Sequence, residues 1–311
     1  MPKDPLIILT GPTAVGKTDL SIELAKRING EIISADSMQV YRRMNIGTAK
    51  ISHAEMQGIP HHLIDILEPW EDFNVVAFQK YASRAVKDIV QRGKIPIVTG
   101  GTGFYIQSLL YGISFTENEN DPALRQQLEA ESEQDGGQSL YLYLSQIDPE
   151  AATAIHPNNR KRVIRAVEYY KLTGKKISEH NETQRQNDLV YNSAYFVLNM
   201  ERDKLYKRID MRVDTMLQDG LVDEVKSLLQ EGCTADMISM QGLGYKEIIR
   251  YLNHEITLDE AVYILKRDTR HFAKRQLTWF RRERDVIWLD KNNDHILEFI
   301  LSVLKEKNII S

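Results

Sequence analysis

GPTAVGKT, residues 11–18, follows the apolar run LIILT of residues 6–10 and precedes Asp19–Arg27, whose apolar positions recur with helical spacing. Gly11, Gly16, Lys17 and Thr18 satisfy the pattern G-x-x-x-x-G-K-[ST] in its proper setting, with a buried strand before it and a helix after it. The glycines let the backbone curl until successive N–H groups point inward, and the helix that follows adds its positive end. Lys17 supplies a full charge, and the Thr18 hydroxyl is a ligand suited to Mg²⁺. Such a loop holds phosphates. It does not say whose.

Outward from the loop, strand and helix patterns alternate. EIIS (31–34) reads as a second strand, HHLIDI (61–66) as a weaker third, Val75–Gln91 as a long amphipathic helix, and IPIVTGG (95–101) as a strand running into a glycine turn. This alternation predicts a parallel sheet with helical crossovers. The pattern breaks at the polar stretch Thr116–Pro122. Beyond it, Pro122–Gln134, Gly137–Gln146 and Asn158–Leu172 read as helices, the last stopped by Thr173-Gly174. A buried strand resumes at Ser193–Met200. Long helices follow over Lys204–Gln230 and Leu258–Arg282, then the strand VIWLD (286–290) and a helix over Asp294–Lys305. The fold expected is α/β, a parallel sheet flanked by helices over residues 1–117 and 193–311, with an all-helical insertion at 118–192.

With 42% hydrophobic and 27% charged residues, the chain can bury a substantial core and stay dissolved. A single cysteine, Cys233, excludes an intramolecular disulfide and a zinc site built on several thiolates, and it fits a reducing, cytoplasmic compartment. No apolar run approaches the roughly 20 residues of a membrane helix, and the N-terminus is too short of apolar residues for a signal peptide. The net charge of −4 argues mildly against a nucleic-acid partner, but the distribution says more. Residues 156–176 hold seven Lys/Arg against one Glu, and residues 264–284 hold eight against one Asp and one Glu. Both stretches are interleaved with aromatics: Tyr169 and Tyr170 in the first, Phe272, Trp279 and Phe280 in the second. Either they are solvated helix faces, or they are the footprint of a nucleic-acid site.

Several side chains then become candidates. Asp36 stands just past the second strand, at the edge that lines the ligand crevice of an open α/β sheet. It is either a turn cap or the acceptor of a proton from a nucleophile attacking beside the phosphates. Gln39 offers a donor and an acceptor for a base edge. In TGGTGFY (99–105), three glycines permit close backbone approach and hold Thr102 at the crevice rim; the plainer alternative is a tight strand–helix turn. His61, His62 and Asp65 read as strand-start residues with ordinary hydrogen bonds, Asp65 remaining a weak candidate for an indirect Mg²⁺ contact. Three functions suit the loop: a small-metabolite kinase with an arginine-bearing helical lid, a transferase with a diphosphate leaving group and a nucleic-acid acceptor, and a non-catalytic RNA-binding protein. The basic stretch at 264–284 favours the second, and the intact loop weighs against the third. The absence of an N/T-K-x-D motif argues against a GTPase.

The chain resembles the tRNA dimethylallyltransferases. GPTAVGKT, ISADSMQVY, GTAK (47–50), PHHLIDI, PIVTGGTGFY, RVDTMLQDGLVDEV, GLGYKE and TRHFAKRQLTWFRRE occur in that family's order, over about residues 5–290. With one cysteine and an end at Ser311, the likeness is to the bacterial type. The resemblance implies a P-loop NTPase-like core and transfer of an isopentenyl group from dimethylallyl diphosphate to N6 of the adenosine 3′ of the anticodon. It implies that Gly11, Thr13, Ala14, Val15, Gly16, Lys17, Thr18 and Arg212 bind the diphosphate, that Mg²⁺ sits on Thr18, and that Asp36 is the general base. It further implies tRNA contacts at Asp36, Ser37, Met38, Gln39, Thr102, Arg125, Asn159, Arg160, Arg162, Arg165, Gly244, Arg270, Lys274 and Arg275. A monomer binding the tRNA anticodon stem-loop, with no membrane partner, completes what the family suggests.

Overall fold

The computed structural model describes residues 3–115, 121–185 and 187–310. Most of the boundary stretch expected at Thr116–Pro122 lies outside them. Two compact units divide the chain: Met1–Leu110 with Val190–Ser311, and Tyr111–Leu189.

The first unit is built on a parallel sheet. Among the described residues it contains β1 (Pro5–Thr10), β2 (Gly30–Ser34), β3 (His61–His62), β4 (Ile95–Gly100), β5 (Asn192–Asn199) and β6 (Val286–Asp290), in the order β3-β2-β4-β1-β5-β6. β1 lies between β4 and β5, with Ile8 opposite Val98 on one side and Tyr195 on the other. Covered on both faces, its residues Leu6 to Leu9 are fully buried, which is why LIILT is a continuous apolar run rather than an alternation. All strands run the same way, so the segments that leave β1, β2, β4, β5 and β6 emerge at one edge. Helices α1 (Lys17–Ile28), α2 (Val75–Gln91) and α3 (Gly103–Leu110) follow β1, β3 and β4.

Three expectations change. HHLIDI keeps only two residues of strand, because Leu63 and Asp65 take left-handed backbone angles (φ 65° and 55°) that end the extended chain. The long helix expected over Lys204–Gln230 is two helices, α9 (Arg202–Gln218) and α10 (Leu221–Gln230), broken at Gly220 with φ 100°. A further helix, α11 (Tyr245–Leu252), opens at Gly244 and precedes α12 (Leu258–Phe280) and α13 (Ile296–Glu306).

The second unit is helical throughout its described residues: α4 (Pro122–Asp135), α5 (Gln138–Ile147), α6 (Pro149–Ala154), α7 (Arg160–Thr173) and α8 (Ile177–Arg185). Leu128, Leu140, Leu144, Val163 and Val167 form its core. Caps set its boundaries. Asp121 accepts from the N–H groups of Ala123 and Leu124, Asp148 from that of Ala151, and Gly174 closes α7 in a left-handed conformation. α6 and α8 escape a reading of apolar spacing because both are short and α8 is polar.

Within this unit Glu168, 2% exposed, accepts from Arg125 Nε at 2.9 Å and Nη2 at 2.6 Å, and from Arg165 Nη1 at 3.2 Å. A carboxylate so placed is stable only while the forked guanidinium stays on it. Glu168→Ala should therefore lower the stability of the helical unit by about 1–3 kcal/mol, the guanidinium groups being partly solvated. Amide hydrogen exchange over 121–185 reads this out, and unchanged protection would contradict the structural role.

Candidate active site

The loop after β1 is shaped by what surrounds it. Gly11 has φ 149°, and a Cβ there would stand 2.3 Å from the Leu198 carbonyl oxygen of β5, so only glycine lets the chain turn against its neighbouring strand. Gly16 and Ala14 also take positive φ, 95° and 64°. Lys17 opens α1 and folds back under the loop, donating to the carbonyls of Gly11 at 3.0 Å and Pro12 at 2.8 Å. Thr18, next on the helix, is exposed.

Two arginines of α9, one turn apart, close on the same loop. Arg208 Nε donates to the Ala14 carbonyl at 2.8 Å, and Arg212 Nη1 donates to Thr13 Oγ1 at 3.2 Å. Burial depresses the Lys17 ammonium to about 7, with the positive Arg212 adding to the effect and Asp36 opposing it. Arg212 is also pushed below its usual range, first by burial and then by Arg208, with Asp36 again opposing. Cations crowded together without matching carboxylates make a site that gains from an anion.

Asp36 follows β2 on the same edge. Its Oδ1 accepts from the N–H of Met38 at 2.8 Å and of Gln39 at 3.3 Å, the turn cap its position suggests. Capping occupies one oxygen only. Among the described residues Oδ2 has no hydrogen-bond donor, so the cap and a proton-accepting role are compatible. Gln39 is committed inward: it approaches Ser34 Oγ and donates to the carbonyls of Thr48 and Ala49, each at 3.3 Å. It braces the GTAK segment, while Ser37 and Met38 are half-buried beside Asp36.

The glycines of TGGTG permit close approach, and the groups that approach belong to the protein itself. A Cβ on Gly100 would meet the Ala35 backbone at 2.4 Å, one on Gly101 the Gln276 amide at 2.0 Å, and one on Gly103 the Trp279 ring at 2.2 Å. The room they leave is filled by the protein itself. Gln276, on α12 and 5% exposed, joins two loops: its Oε1 accepts from Thr13 N–H at 2.9 Å, and its Nε2 donates to the Gly101 carbonyl at 3.0 Å. Thr102 N–H donates to the Ala35 carbonyl at 3.2 Å, and its own carbonyl starts α3. Thus the segments after β1, β2 and β4 are fastened to one another.

A second brace fixes the flank. Glu224 of α10 accepts from the N–H groups of Asn45, Ile46 and Gly47 and from the Tyr245 hydroxyl, at 2.7–3.0 Å. Gly244, just before α11, donates to Glu247 at 2.8 Å, and a Cβ on it would stand 3.8 Å from the Gly47 Cα. Lys50 Nζ donates to Asp65 at 2.6 Å and to the Tyr41 carbonyl at 2.6 Å, so Asp65 is occupied by an ion pair. His61 bonds the Ile59 carbonyl and His62 bonds Glu31, ordinary roles both. Among the described residues, no group of three or more His, Cys, Asp or Glu is arranged to hold a metal.

The basic residues divide into two kinds. Arg270 is paired with Asp210 and Lys266 with Asp214, pinning α12 to α9, whereas Lys274 and Arg275 are exposed. In the helical unit Arg125 and Arg165 are held by Glu168, Asn159 caps α7 through its side chain, and Arg160 and Arg162 are exposed. Arg208 and Gln276 were not singled out from sequence. Arg208 stands four residues before Arg212 on one helix face, a spacing that pairs them; Gln276 has no such signal, lying inside a basic stretch.

Because Lys17 sits near 7 in the free loop, an arriving anion should restore its proton. Binding of inorganic diphosphate at pH 8 should take up more protons in the natural protein than in Lys17→Arg, whose charge does not titrate in that range. Calorimetry in two buffers of different ionisation enthalpy measures the difference. Equal uptake by the two proteins would contradict the depressed lysine.

The family model described as IPP transferase matches residues 39–283. The chain is 60% identical over 310 residues to the tRNA dimethylallyltransferase of Lachnoclostridium phytofermentans, covering 98% of this chain and 99% of that one. It is 54% identical over 288 residues to the same-named protein of Bacillus licheniformis, covering 93% and 91%. Among solved structures, the full-length tRNA isopentenylpyrophosphate transferase of Bacillus halodurans superposes with a TM-score of 0.75 at 48% identity, covering 98% of each chain. A eukaryotic dimethylallyltransferase described acting on tRNA superposes with a TM-score of 0.83 at 34% identity, covering 98% of this chain and 79% of the other. With matches of this extent on a phosphate-loop sheet of this geometry, the chain belongs to the IPP transferase family.

Proposed function

We propose that this protein transfers the dimethylallyl group of dimethylallyl diphosphate to N6 of the adenosine next to the anticodon on its 3′ side, in tRNA, with release of diphosphate. The observation that carries the proposal is the meeting, at one sheet edge, of a cation-lined phosphate loop with a carboxylate that keeps one oxygen free. The relatives' names supply the substrates. A small-metabolite kinase would share the loop, but the relatives named above are tRNA dimethylallyltransferases.

The reaction then follows from the residues. The diphosphate lies along Gly11–Thr18, facing loop N–H groups, Lys17 and Arg212. The N6 lone pair attacks the allylic C1, the C1–O bond breaks, and its electrons pass to the diphosphate, where these cations stabilise the growing charge. The N6 proton goes to Asp36, which matters because an aromatic exocyclic amine is a weak nucleophile. Thr18 suits a divalent ion: the residue is exposed at the head of α1, and Mg²⁺ needs only one or two protein oxygens beside those of a phosphate. Mg²⁺ held there would neutralise diphosphate charge.

The adenine must leave the loop stack to reach this edge, which costs least in a single-stranded anticodon loop. Asp36–Gln39, Thr102 and Gly244 lie on segments at the edge or bracing it. The exposed Lys274, Arg275, Arg160 and Arg162 are the better candidates for tRNA phosphates; Arg270, Arg125 and Arg165 already have carboxylate partners. The helical unit as a tRNA-binding module, a monomeric state and a cytoplasmic location belong to the same proposal.

Asp36→Asn keeps the turn cap, since the amide oxygen can still accept from Met38 and Gln39, and removes the base. Single-turnover prenyl transfer should fall by about 10²–10⁴ with tRNA affinity unchanged. Near-normal turnover would remove Asp36 from the base role.

A further inference from the structure

One more cation reaches the phosphate loop, from the far side of the sheet. Lys291 follows β6 directly, on the edge where all the parallel strands end. Its N–H donates to the Asn199 carbonyl at 2.9 Å, fixing its backbone beside the end of β5. Its side chain runs to Gly16: a Cβ at that glycine would meet Lys291 Cε at 3.2 Å and Nζ at 3.8 Å, with Arg208 Nη2 at 3.7 Å. The residue is half-buried, and among the described residues its ammonium has neither a hydrogen bond nor an ion pair. The neighbouring Asp290 is not its partner, since Oδ1 accepts from the N–H and side-chain amide of Asn292.

An ammonium held beside a guanidinium, with Lys17 and Arg212 reaching the same loop, is repelled unless an anion joins them. Among the described residues no carboxylate forms an ion pair with Lys291, and Asp290 Oδ1 is used within its own turn. We infer that Lys291 is a phosphate-binding residue of this site, closing over the Gly16 end of the loop while Lys17 holds the anion from beneath. Lys17 opens α1 after β1 and Lys291 follows β6, so the two lysines reach the loop from opposite sides of β5 and would meet different oxygens of a bound anion. Lys291 would thereby help the site prefer a diphosphate donor to a monophosphate. This inference rests on the diphosphate reading of the loop given above.

The test uses Lys291→Met, which keeps the apolar stem and removes the charge, Lys291→Arg, which keeps a charge, and Lys17→Met, all titrated with inorganic diphosphate and inorganic phosphate. Loss of one charge-assisted contact should weaken diphosphate binding by about 10–100-fold in Lys291→Met. Phosphate binding should change less, and the KM for tRNA should not change. Lys291→Arg should recover most of the affinity; an arginine variant as weak as the methionine variant would overturn the charge role. Natural-like diphosphate affinity in Lys291→Met, with binding lost in Lys17→Met, would overturn the inference about Lys291 alone. If Lys17→Met also binds normally, the loop is not the diphosphate site and both readings fall.

Discussion

Lys17 is held against the carbonyls of Gly11 and Pro12, half-buried, with Arg212 and Arg208 closing from α9 and no carboxylate paired to it. Burial lowers the lysine to about 7, and the positive Arg212 adds to the effect while Asp36 opposes it. Much of the nearby architecture can be understood as holding this arrangement in place. Gly11 brings the loop under β5, α9 carries its arginines at a one-turn spacing, and the Asp210–Arg270 and Asp214–Lys266 pairs fix α9 to α12. An anion bound at this loop would offset what the fold loses by assembling the cations.

Gln276 ties the phosphate loop to the glycine turn. One buried amide bonds to the phosphate loop and to the glycine turn, so α12 sets the distance between them. The same helix exposes Lys274 and Arg275 on its other side. A polynucleotide bound to those residues would sit on the helix that positions the donor loop. Glu224 plays a similar part for the GTAK segment, gathering three backbone N–H groups and the Tyr245 hydroxyl around one carboxylate.

What could be read from the sequence was whatever depends on local chemistry. A strand buried on both faces must be apolar throughout, and a phosphate loop must place glycine, lysine and threonine at fixed offsets, so LIILT and GPTAVGKT were legible. The parallel sheet followed from alternation. Long-range contacts were not legible. Counting arginines between 156 and 176 cannot show that Arg165 belongs to a buried Glu168 that also takes Arg125 from another helix. The glycines of TGGTG signal close approach without saying that the approaching groups are Ala35, Gln276 and Trp279. The apolar spacing continues on both sides of Gly220 and hides the break there. Lys291 could have been suspected, since it follows a strand at the ligand edge, but nothing local marks it.

The central claim is that this loop serves an isoprenoid diphosphate rather than a nucleotide, with tRNA as the acceptor. It is tested most directly by offering the purified protein radiolabelled dimethylallyl diphosphate, Mg²⁺ and unmodified tRNA, with ATP and a panel of small acceptors in parallel. Label should appear on the tRNA and disappear when the target adenosine is replaced by guanosine. ATP turnover on a small acceptor with no prenyl transfer would contradict it.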